Sequence, residues 1–280
     1  MRRLLTTDHD RGFAGLRYVY PVLSRRSGGV SVGVNLNPNR ACNWRCVYCQ
    51  VPGLVRGKAP PIDLARLRDE LERLLQQAVS GDLLQRWAPG ARLTDVALAG
   101  DGEPTTSAQL GQAVAVVDQA RRAVGVGPEV KTILITNGSL VDHPPVAAAI
   151  GALAGLSGEV WFKLDSATRE GLRALNSTAS PVRDHLARLR RCAALAPTWI
   201  QTCVFARDGA PPEERERQAW LEALAGLVED ATPLRGVLLY GLARPSRQPE
   251  AERLSPLPED WLEALAAEVR ALGLEVRVSP

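Results

Sequence analysis

An alternation of two residue patterns runs through the 280-residue chain and restricts its fold more than any single motif does. Short runs rich in β-branched and apolar residues alternate with longer stretches in which leucines recur every three or four positions. The predicted strands cover residues 31–37, 95–100, 131–137, 159–165, 199–205 and 235–241, with a short final run at 275–278. The predicted helices cover residues 64–78, 108–124, 181–196, 213–230 and 258–273.

Strand and helix alternate six times, which predicts an α/β fold with a parallel sheet covered by helices on its outside. Six units, rather than the eight of a closed barrel, favour a partial (β/α)6 barrel with an open side. Functional loops are then expected at the carboxyl ends of the strands. We expect a basic N-terminal segment at residues 1–30, followed by a single barrel domain at residues 31–280.

The composition is typical of a globular protein with a sizeable core, with 45% apolar and 23% charged residues. No run of 18 apolar residues occurs, and the N-terminal arginines are not followed by an apolar stretch typical of a signal peptide. We therefore expect a cytoplasmic protein without a membrane span. The odd number of cysteines, three of them close together, indicates reduced thiols used as ligands rather than disulfides.

The net charge of +3 is distributed unevenly along the chain. Residues 1–60 contain ten lysines and arginines but only two acids, Asp8 and Asp10, so this part carries +8 and the rest −5. Two interpretations are open: an electropositive mouth for an anionic substrate or nucleic acid, and a solvated N-terminal arm. We hypothesise that Arg25 and Arg26 help to cover or engage the substrate.

The segment RACNWRCVYCQ, residues 40–50, contains three cysteines within eight positions: Cys42, Cys46 and Cys49. It directly follows the first predicted strand. Three thiolates without an obvious fourth protein ligand are typical of a metal site with an open coordination position. On a [4Fe–4S] cluster, which takes four ligands, one iron would remain free for a small molecule.

A structural zinc site is the first alternative, but it requires four ligands, usually in two pairs. Cys192 lies inside a predicted helix and Cys203 inside a predicted strand, where a small buried apolar side chain is the simpler interpretation. The histidines are distant from the cysteines in sequence: His9, His143 and His185.

Polar side chains recur on one face of two predicted strands, because side chains alternate between faces. Lys163 and Asp165 share a face opposite an apolar one, and Gln201 and Cys203 do so in the next strand. We therefore expect polar groups to line the barrel interior. A structural ion pair between Lys163 and Asp165 is an open alternative, as is a turn-forming role for Asn137 in ITNGS.

The CxxxCxxC spacing, with Tyr48 just before the third cysteine, resembles the cluster loop of the radical S-adenosylmethionine (radical SAM) superfamily. That family has a partial (β/α)6 barrel. From about Tyr20 to the C-terminus, further segments resemble the small tRNA-modifying radical SAM proteins related to wyosine synthases. These segments are SRRSGGVSVGVNLNP, GDGEPT, ITNGS, KLDS followed by ALN, IQTCVF and YGLARPS.

The resemblance implies that Cys42, Cys46 and Cys49 ligate a [4Fe–4S] cluster whose free iron binds SAM. It assigns the adenine contact to the backbone near Tyr48. It assigns contacts with the methionine moiety of SAM to the GDGEPT segment, through Gly100, Asp101, Gly102, Glu103 and Pro104. A plain glycine-rich turn is the alternative for this segment. Contacts with ribose, carboxylate or substrate are assigned to Asn137, Lys163, Asp165 and Gln201.

The implied activity is that of an iron–sulfur oxidoreductase supplied with electrons by a flavodoxin-like or ferredoxin-like donor. One electron from the cluster would cleave SAM to methionine and a 5′-deoxyadenosyl radical, which abstracts hydrogen from a substrate such as tRNA or another anionic molecule. The tRNA-modifying relatives carry additional cysteines upstream for a second cluster, whereas no cysteine precedes Cys42 here. Modification of a protein or peptide, and a non-catalytic iron–sulfur or zinc-binding role, are the alternatives.

Overall fold

The computed structural model describes residues 3–7 and 11–280 of the chain. An eight-stranded sheet forms its centre, and the spatial order of the strands follows their order along the chain. The strands are β1 (Val19–Ser24), β2 (Gly29–Val34), β3 (Leu93–Leu98), β4 (Lys131–Thr136), β5 (Gly158–Lys163), β6 (Thr198–Cys203), β7 (Leu234–Tyr240) and β8 (Val276–Ser279). Strand β1 is antiparallel to β2, and all other neighbours are parallel.

Helices connect the parallel strands. They are α1 (Leu64–Val79), α2 (Asp82–Trp87), α3 (Leu110–Val124), α4 (Pro144–Ala154), α5 (Arg169–Asn176), α6 (Val182–Leu195), α7 (Glu214–Glu229) and α8 (Glu259–Ala271). Shorter elements are the strand pairs Ala41–Cys42 with Val55–Arg56 and Ala206–Arg207 with Leu254–Ser255, and the 3-10 helices Pro104–Thr106 and Ala251–Arg253. In the described part of the chain, none of the helices combines the length and the apolar character that a bilayer crossing requires.

The predicted partial barrel is confirmed, because the curled parallel sheet keeps two separate edges, β1 and β8, and carries its helices outside. The prediction missed strand β1 and helices α2, α4 and α5, and for β1 and α4 the physical reason is visible. Strand β1 lies within the predicted basic segment 1–30 and contains Pro21, which only an edge strand such as this one tolerates well. Helix α4, PPVAAAIGALA, is apolar almost throughout and shows no helical periodicity. Residues 1, 2 and 8–10 of the basic segment lie outside the described residues.

The two faces of the sheet differ as the alternation predicts. On the outer face, Val160, Phe162 and Leu164 belong to the large core beneath the helices. On the inner face, Trp161 and Trp199 form a smaller cluster at mid-height of the barrel. The polar side chains of the inner face follow one step nearer the carboxyl ends of the strands, where Lys163 is the register partner of Gln201.

A buried arginine, Arg121, connects α3 to the beginning of β4. Its guanidinium donates to the hydroxyl of Thr132 and to the backbone carbonyls of Leu156 (2.9 Å), Gly127 (3.1 Å) and Val130 (2.6 Å). Only 7% of the residue is exposed. This one side chain therefore donates to three carbonyls of the loops around it.

We predict that Arg121→Met lowers the free energy of unfolding by about 2–4 kcal/mol, because the carbonyls lose their donors. The adjacent Arg122→Met is the matched control, since the Arg122 side chain is 76% exposed and pairs only with Asp118. The control should change the free energy by less than about 0.5 kcal/mol. Urea titration measures both values, and equal effects of the two substitutions would contradict the assignment.

Candidate functional site

The cysteine loop begins at the carboxyl end of β2, as predicted, and asparagines fold its first turn. The backbone nitrogen of Asn37 donates to Asn35 Oδ1 at 3.0 Å, and the side-chain nitrogen, Asn37 Nδ2, donates to the carbonyl of Ala41 at 2.9 Å. The chain then forms the short parallel pair of Ala41–Cys42 with Val55–Arg56. These contacts position the first cysteine before the loop turns back across the end of the sheet.

The three thiols lie in partly buried surroundings. Cys42 Sγ accepts from the backbone nitrogen of Trp44 at 3.4 Å, and Cys46 Sγ accepts from Asn176 Nδ2 at 3.3 Å. Burial raises the pKa of Cys42 and of Cys46 to about 12, and it also raises the pKa of Cys49. A thiol loses its proton when it binds a metal. Because burial disfavours the charged thiolate, the positive charge of a metal centre would be needed to stabilise it.

The arrangement of donors does not match a site for a single ion. Within residues 3–7 and 11–280, no three His, Cys, Asp or Glu side chains converge as the ligands of one metal ion. Thiolates that share one zinc ion have to approach to about 4 Å of one another, because each Zn–S bond is about 2.3 Å long. Three separate thiols in one loop fit a cluster, in which each thiol binds a different iron.

His185 and the two cysteines outside the loop are accounted for by packing. His185 is buried, its Nε2 donates to the carbonyl of Lys163 at 2.9 Å, and burial lowers its pKa to about 4, so the ring is neutral. His143 precedes α4. Cys192 lies in the outer core, and Cys203 packs beneath the cysteine loop. His9 lies outside the described residues.

The segment GDGEPT follows β3 and packs directly against the cysteine loop. A Cβ atom on Gly102 would lie 1.9 Å from the carbonyl oxygen of Ala41, and one on Gly100 would lie 2.2 Å from Asn35 Oδ1. No side chain fits in either place. Both glycines are thus required by loop-to-loop contact, whichever ligand the segment also binds.

Glu103 forms a buried junction between β3 and β4. One carboxylate oxygen accepts from the Thr105 and Thr136 hydroxyls at 2.7 and 2.6 Å, and the other accepts from the Asn137 backbone nitrogen at 2.7 Å. Burial outweighs these hydrogen bonds and raises the pKa of Glu103. The next residue, Pro104, begins a 3-10 turn. Because the Glu103 side chain is occupied internally, backbone atoms of this segment are the groups left to contact a ligand.

Asp101 lies beside the mouth of the barrel. Its carboxylate accepts from Asn35 Nδ2 at 2.6 Å and forms an ion pair with Arg11, whose guanidinium lies 5.6 Å from the ring centroid of Tyr20. The N-terminal segment is thereby attached to the loop after β3. Asp101 is therefore a structural link at the entrance.

Asn137 contacts the cysteine loop and also forms a turn. Its Nδ2 donates to Asn43 Oδ1 at 2.8 Å, and its Oδ1 accepts from the backbone nitrogen of Ser139 at 3.0 Å. Asn43 in turn donates to the Ser139 hydroxyl at 2.7 Å. Both sequence-based interpretations of Asn137, a site residue and a turn former, agree with this geometry.

A buried polar network joins the barrel interior to the cysteine loop. Lys163 Nζ donates to the Tyr48 hydroxyl at 2.7 Å, and that hydroxyl donates to Asp165. The Asp165 carboxylate also accepts from Asn176 Nδ2 at 2.7 Å and from the backbone nitrogen of Cys203 at 3.1 Å. Lys163 and Asp165 are 3.9 Å apart, so the ion pair that the sequence left open exists and is part of this network.

Lys163 stays charged in this network. Its burial opposes the charge, but Asp165 and the neighbouring groups outweigh burial and raise the pKa of Lys163. The ammonium also lies 4.9 Å from the ring centroid of Tyr48. A permanently cationic lysine below the cysteine loop favours an anionic or electron-rich ligand nearby.

A cavity of about 270 Å³ occupies the barrel interior below the cysteine loop. Cys49, Tyr48 and Lys163 line its upper part, and Gln201 lines its wall. Gln201 Oε1 accepts a hydrogen bond from Arg26. The structure thus brings the interior candidates and one thiol to the same cavity.

Several residues of the site were missed from the sequence. Tyr240 lies on the inner face at the end of β7, beside Lys163, and strand alternation in RGVLLYG was a signal for it. Asn176 supports Cys46 and Asp165 together, although ALN was noted only as a resemblance. Asn35 and Asn43 gave no signal, because their partners Asp101 and Asn137 are far away in sequence.

We predict that Asp165→Asn lowers the free energy of unfolding by about 2–4 kcal/mol. The donors around Asp165 now share two carboxylate oxygens, and a side-chain amide would offer them only one acceptor oxygen. The substitution should also speed the labelling of the loop thiols by a thiol reagent, since Tyr48 and Asn176 lose a common anchor. Asp142→Asn is the control: its 51% exposed carboxylate pairs with surface arginines. The prediction is wrong if both variants label at the wild-type rate.

Comparison with known proteins places these features in a family. The family model of the radical SAM superfamily matches residues 36–216. The UPF0026 protein of Helicobacter pylori strain ATCC 700392 / 26695 is 34% identical over 131 residues, which are 46% of this chain and 37% of that protein. The matched region thus spans little more than a third of the length of that curated relative.

Two solved structures share the fold. One is TYW1 with a lysine–pyruvate adduct bound, with a TM-score of 0.56, 15% identity, and coverage of 86% of this chain and 73% of that one. The other is a radical SAM methyltransferase from Sphaerobacter thermophilus, with a TM-score of 0.57, 16% identity, and coverage of 89% and 66%. Together with the family match, the open parallel half-barrel shows that the chain belongs to the radical SAM superfamily of enzymes, which carry out SAM-dependent radical chemistry.

Proposed function

We propose that the chain binds a [4Fe–4S] cluster through Cys42, Cys46 and Cys49 and uses it with SAM to abstract hydrogen from an anionic substrate in the barrel. One observation carries the proposal: Cys49, one thiol of the three-cysteine loop, lines an interior cavity whose wall, among the described residues, holds five cationic side chains and a single carboxylate. A thiol at the loop and cations in the cavity wall suit a radical that is generated at the loop and a negatively charged substrate that is bound in the cavity.

The cluster and SAM, when bound, supply reductive cleavage of SAM to methionine and a 5′-deoxyadenosyl radical that takes hydrogen from the substrate. Three thiols leave one position of a four-ligand cluster for SAM. The proposal requires an electron donor, for which a flavodoxin-like or ferredoxin-like protein is expected.

The task of the protein residues is to hold the loop and shield the cavity. The segment after β7 fastens the loop from the side opposite the glycines. The Ser246 hydroxyl donates to the carbonyl of Val47 at 2.6 Å, and the Arg247 backbone nitrogen donates to that of Cys49 at 2.9 Å. Such enclosure keeps water and side reactions away from a reactive intermediate.

A second groove, of about 850 Å³, extends from the mouth of the barrel and supports an RNA as the anionic substrate. It shares Arg11 and Arg244 with the interior cavity. Among the described residues that line it, the acid is Asp101, which is paired with Arg11. The further cations of the groove are Arg17, Arg40 and Arg247. A cationic groove that leads into the interior cavity can bind the phosphate backbone of an RNA while the part of the RNA that reacts enters the cavity.

We predict that the protein, reconstituted anaerobically with iron and sulfide and given SAM and dithionite, forms 5′-deoxyadenosine. Cys46→Ala should lose this activity by at least about a hundredfold, because a cluster ligand is gone. Cys192→Ala is the control, since Cys192 lies in the outer core and should leave turnover intact. A wild-type protein that binds iron but leaves SAM whole would favour a non-catalytic iron–sulfur protein instead.

We predict that RNA binding weakens steeply with salt, with a slope of about −0.7 for each phosphate contact to a single strand. Arg17→Gln, Arg40→Gln and Arg247→Gln together should make the slope shallower by about two units. Arg183→Gln, at a side chain that is 89% exposed and lies outside the groove, is the control. Binding that is indifferent to salt and to these arginines would favour the alternative, a protein or peptide substrate.

A further inference from the structure

Arg26 forms the floor of the interior cavity. It lies in the turn between β1 and β2, at the amino ends of the parallel strands, and its side chain enters the barrel from below. The guanidinium carbon is 5.0 Å from the ring centroid of Trp161 and 4.8 Å from that of Tyr240. Two aromatic rings therefore fix this cation between the middle of the sheet and the cavity.

Arg26 has no carboxylate in contact. Within the described residues its hydrogen bond goes to Gln201 Oε1, and no Asp or Glu lies within ion-pair distance of it. The carboxylate in the cavity wall, Asp95, accepts instead from the hydroxyls of Ser31 and Thr94. Arg26 is half-buried, and a cation held in the cavity wall without a carboxylate in contact can bind an anion from a ligand.

The side-chain amide of Gln201 offers a second group for a ligand at the same place. Because a guanidinium can only donate, the bond from Arg26 fixes the oxygen of the Gln201 amide on that side. Among the described residues the amide nitrogen, Nε2, has no acceptor, and the residue is 1% exposed and lines the cavity. Native structures rarely leave a buried donor unpaired, and a bound ligand is one reason for such a donor.

The cavity as a whole is positively charged. Its wall holds five cations, Arg11, Arg25, Arg26, Lys163 and Arg244, and one carboxylate, Asp95. Arg11 is paired with Asp101 and Lys163 with Asp165, and among the described residues Arg25 and Arg26 share the cavity wall with one further carboxylate, Asp95. An anionic occupant would reduce the remaining excess of positive charge.

We infer that the part of the substrate that enters the cavity bears a carboxylate, and that Arg26 and Gln201 bind this carboxylate; this inference rests on the proposed function. One guanidinium edge and one amide N–H match two oxygens that share a single charge. A phosphate monoester would bring a charge of about −1.5 to −2 and a third oxygen that needs donors. With its acid group at the floor, the substrate extends upward towards Tyr48 and Cys49.

The test uses the full-length chain and propionate as the probe. Thermal unfolding is followed with increasing propionate at constant ionic strength, with propionamide as the neutral analogue. A ligand that binds only the folded chain raises Tm. We expect propionate, and not propionamide, to raise Tm with saturation, and Arg26→Met to weaken this binding at least about tenfold.

Gln201→Glu provides a second variant that should keep the fold, because its carboxylate would lie against Arg26 and take the place of the ligand. We expect the fold of Gln201→Glu to be as stable as the wild type and its Tm to be insensitive to propionate. Arg122→Met, an exposed arginine on α3, is the control and should keep the full response. A wild-type Tm that does not respond, or a response that survives in both site variants, would overturn the inference.

Two further arms identify the source of the anion. A larger response to methyl phosphate than to propionate would overturn the assignment of a carboxylate. SAM also has a carboxylate, so equilibrium dialysis of SAM against the reconstituted protein is compared between wild type and Arg26→Met. Equal SAM affinity is expected, and a matching loss would assign Arg26 to SAM and overturn the inference. Propionate binding is measured without SAM cleavage, so failure here is separate from failure to form 5′-deoxyadenosine.

Discussion

The buried carboxylate of Asp165 is the contact on which the architecture of the site most depends. It lies just beyond β5 and accepts from Tyr48 in the cysteine loop and from Asn176 at the end of α5, while Lys163 lies close enough to balance its charge. Asn176 also donates to Cys46. A single charged group thus connects the sheet, a helix and the cysteine loop, and its burial makes these contacts obligatory, because an unpaired buried carboxylate is strongly unfavourable.

The loops after β2, β3 and β4 support one another in a similar way. Asn35 joins the first loop to Asp101 in the second, and Glu103 in the second accepts from the backbone of Asn137 in the third. Asn137 then returns to the cysteine loop through Asn43. This closed cycle of hydrogen bonds explains why residues expected to contact SAM directly have side chains engaged with protein, and why a ligand there would meet mainly backbone atoms and thiols.

Sequence periodicity was sufficient to predict the strand–helix units of the parallel sheet and the face of the sheet on which Lys163, Asp165 and Gln201 lie, because both depend on local spacing. It was also sufficient to place the cysteine loop at the carboxyl end of a strand. Local spacing did not reveal the internal role of Glu103 or the entry of Arg26 into the barrel from below. Those contacts join residues far apart in sequence, and they exist only once the sheet has curled.

The central claim is that the three thiols hold a [4Fe–4S] cluster with one iron open to SAM above a cationic chamber. Electron paramagnetic resonance of the reduced, reconstituted protein tests this claim most directly. The account predicts the signal of a reduced [4Fe–4S] cluster whose g-values change when SAM is added, because SAM becomes a ligand of the open iron. A cluster signal that SAM leaves unchanged, or a protein that retains zinc and no cluster, would contradict it.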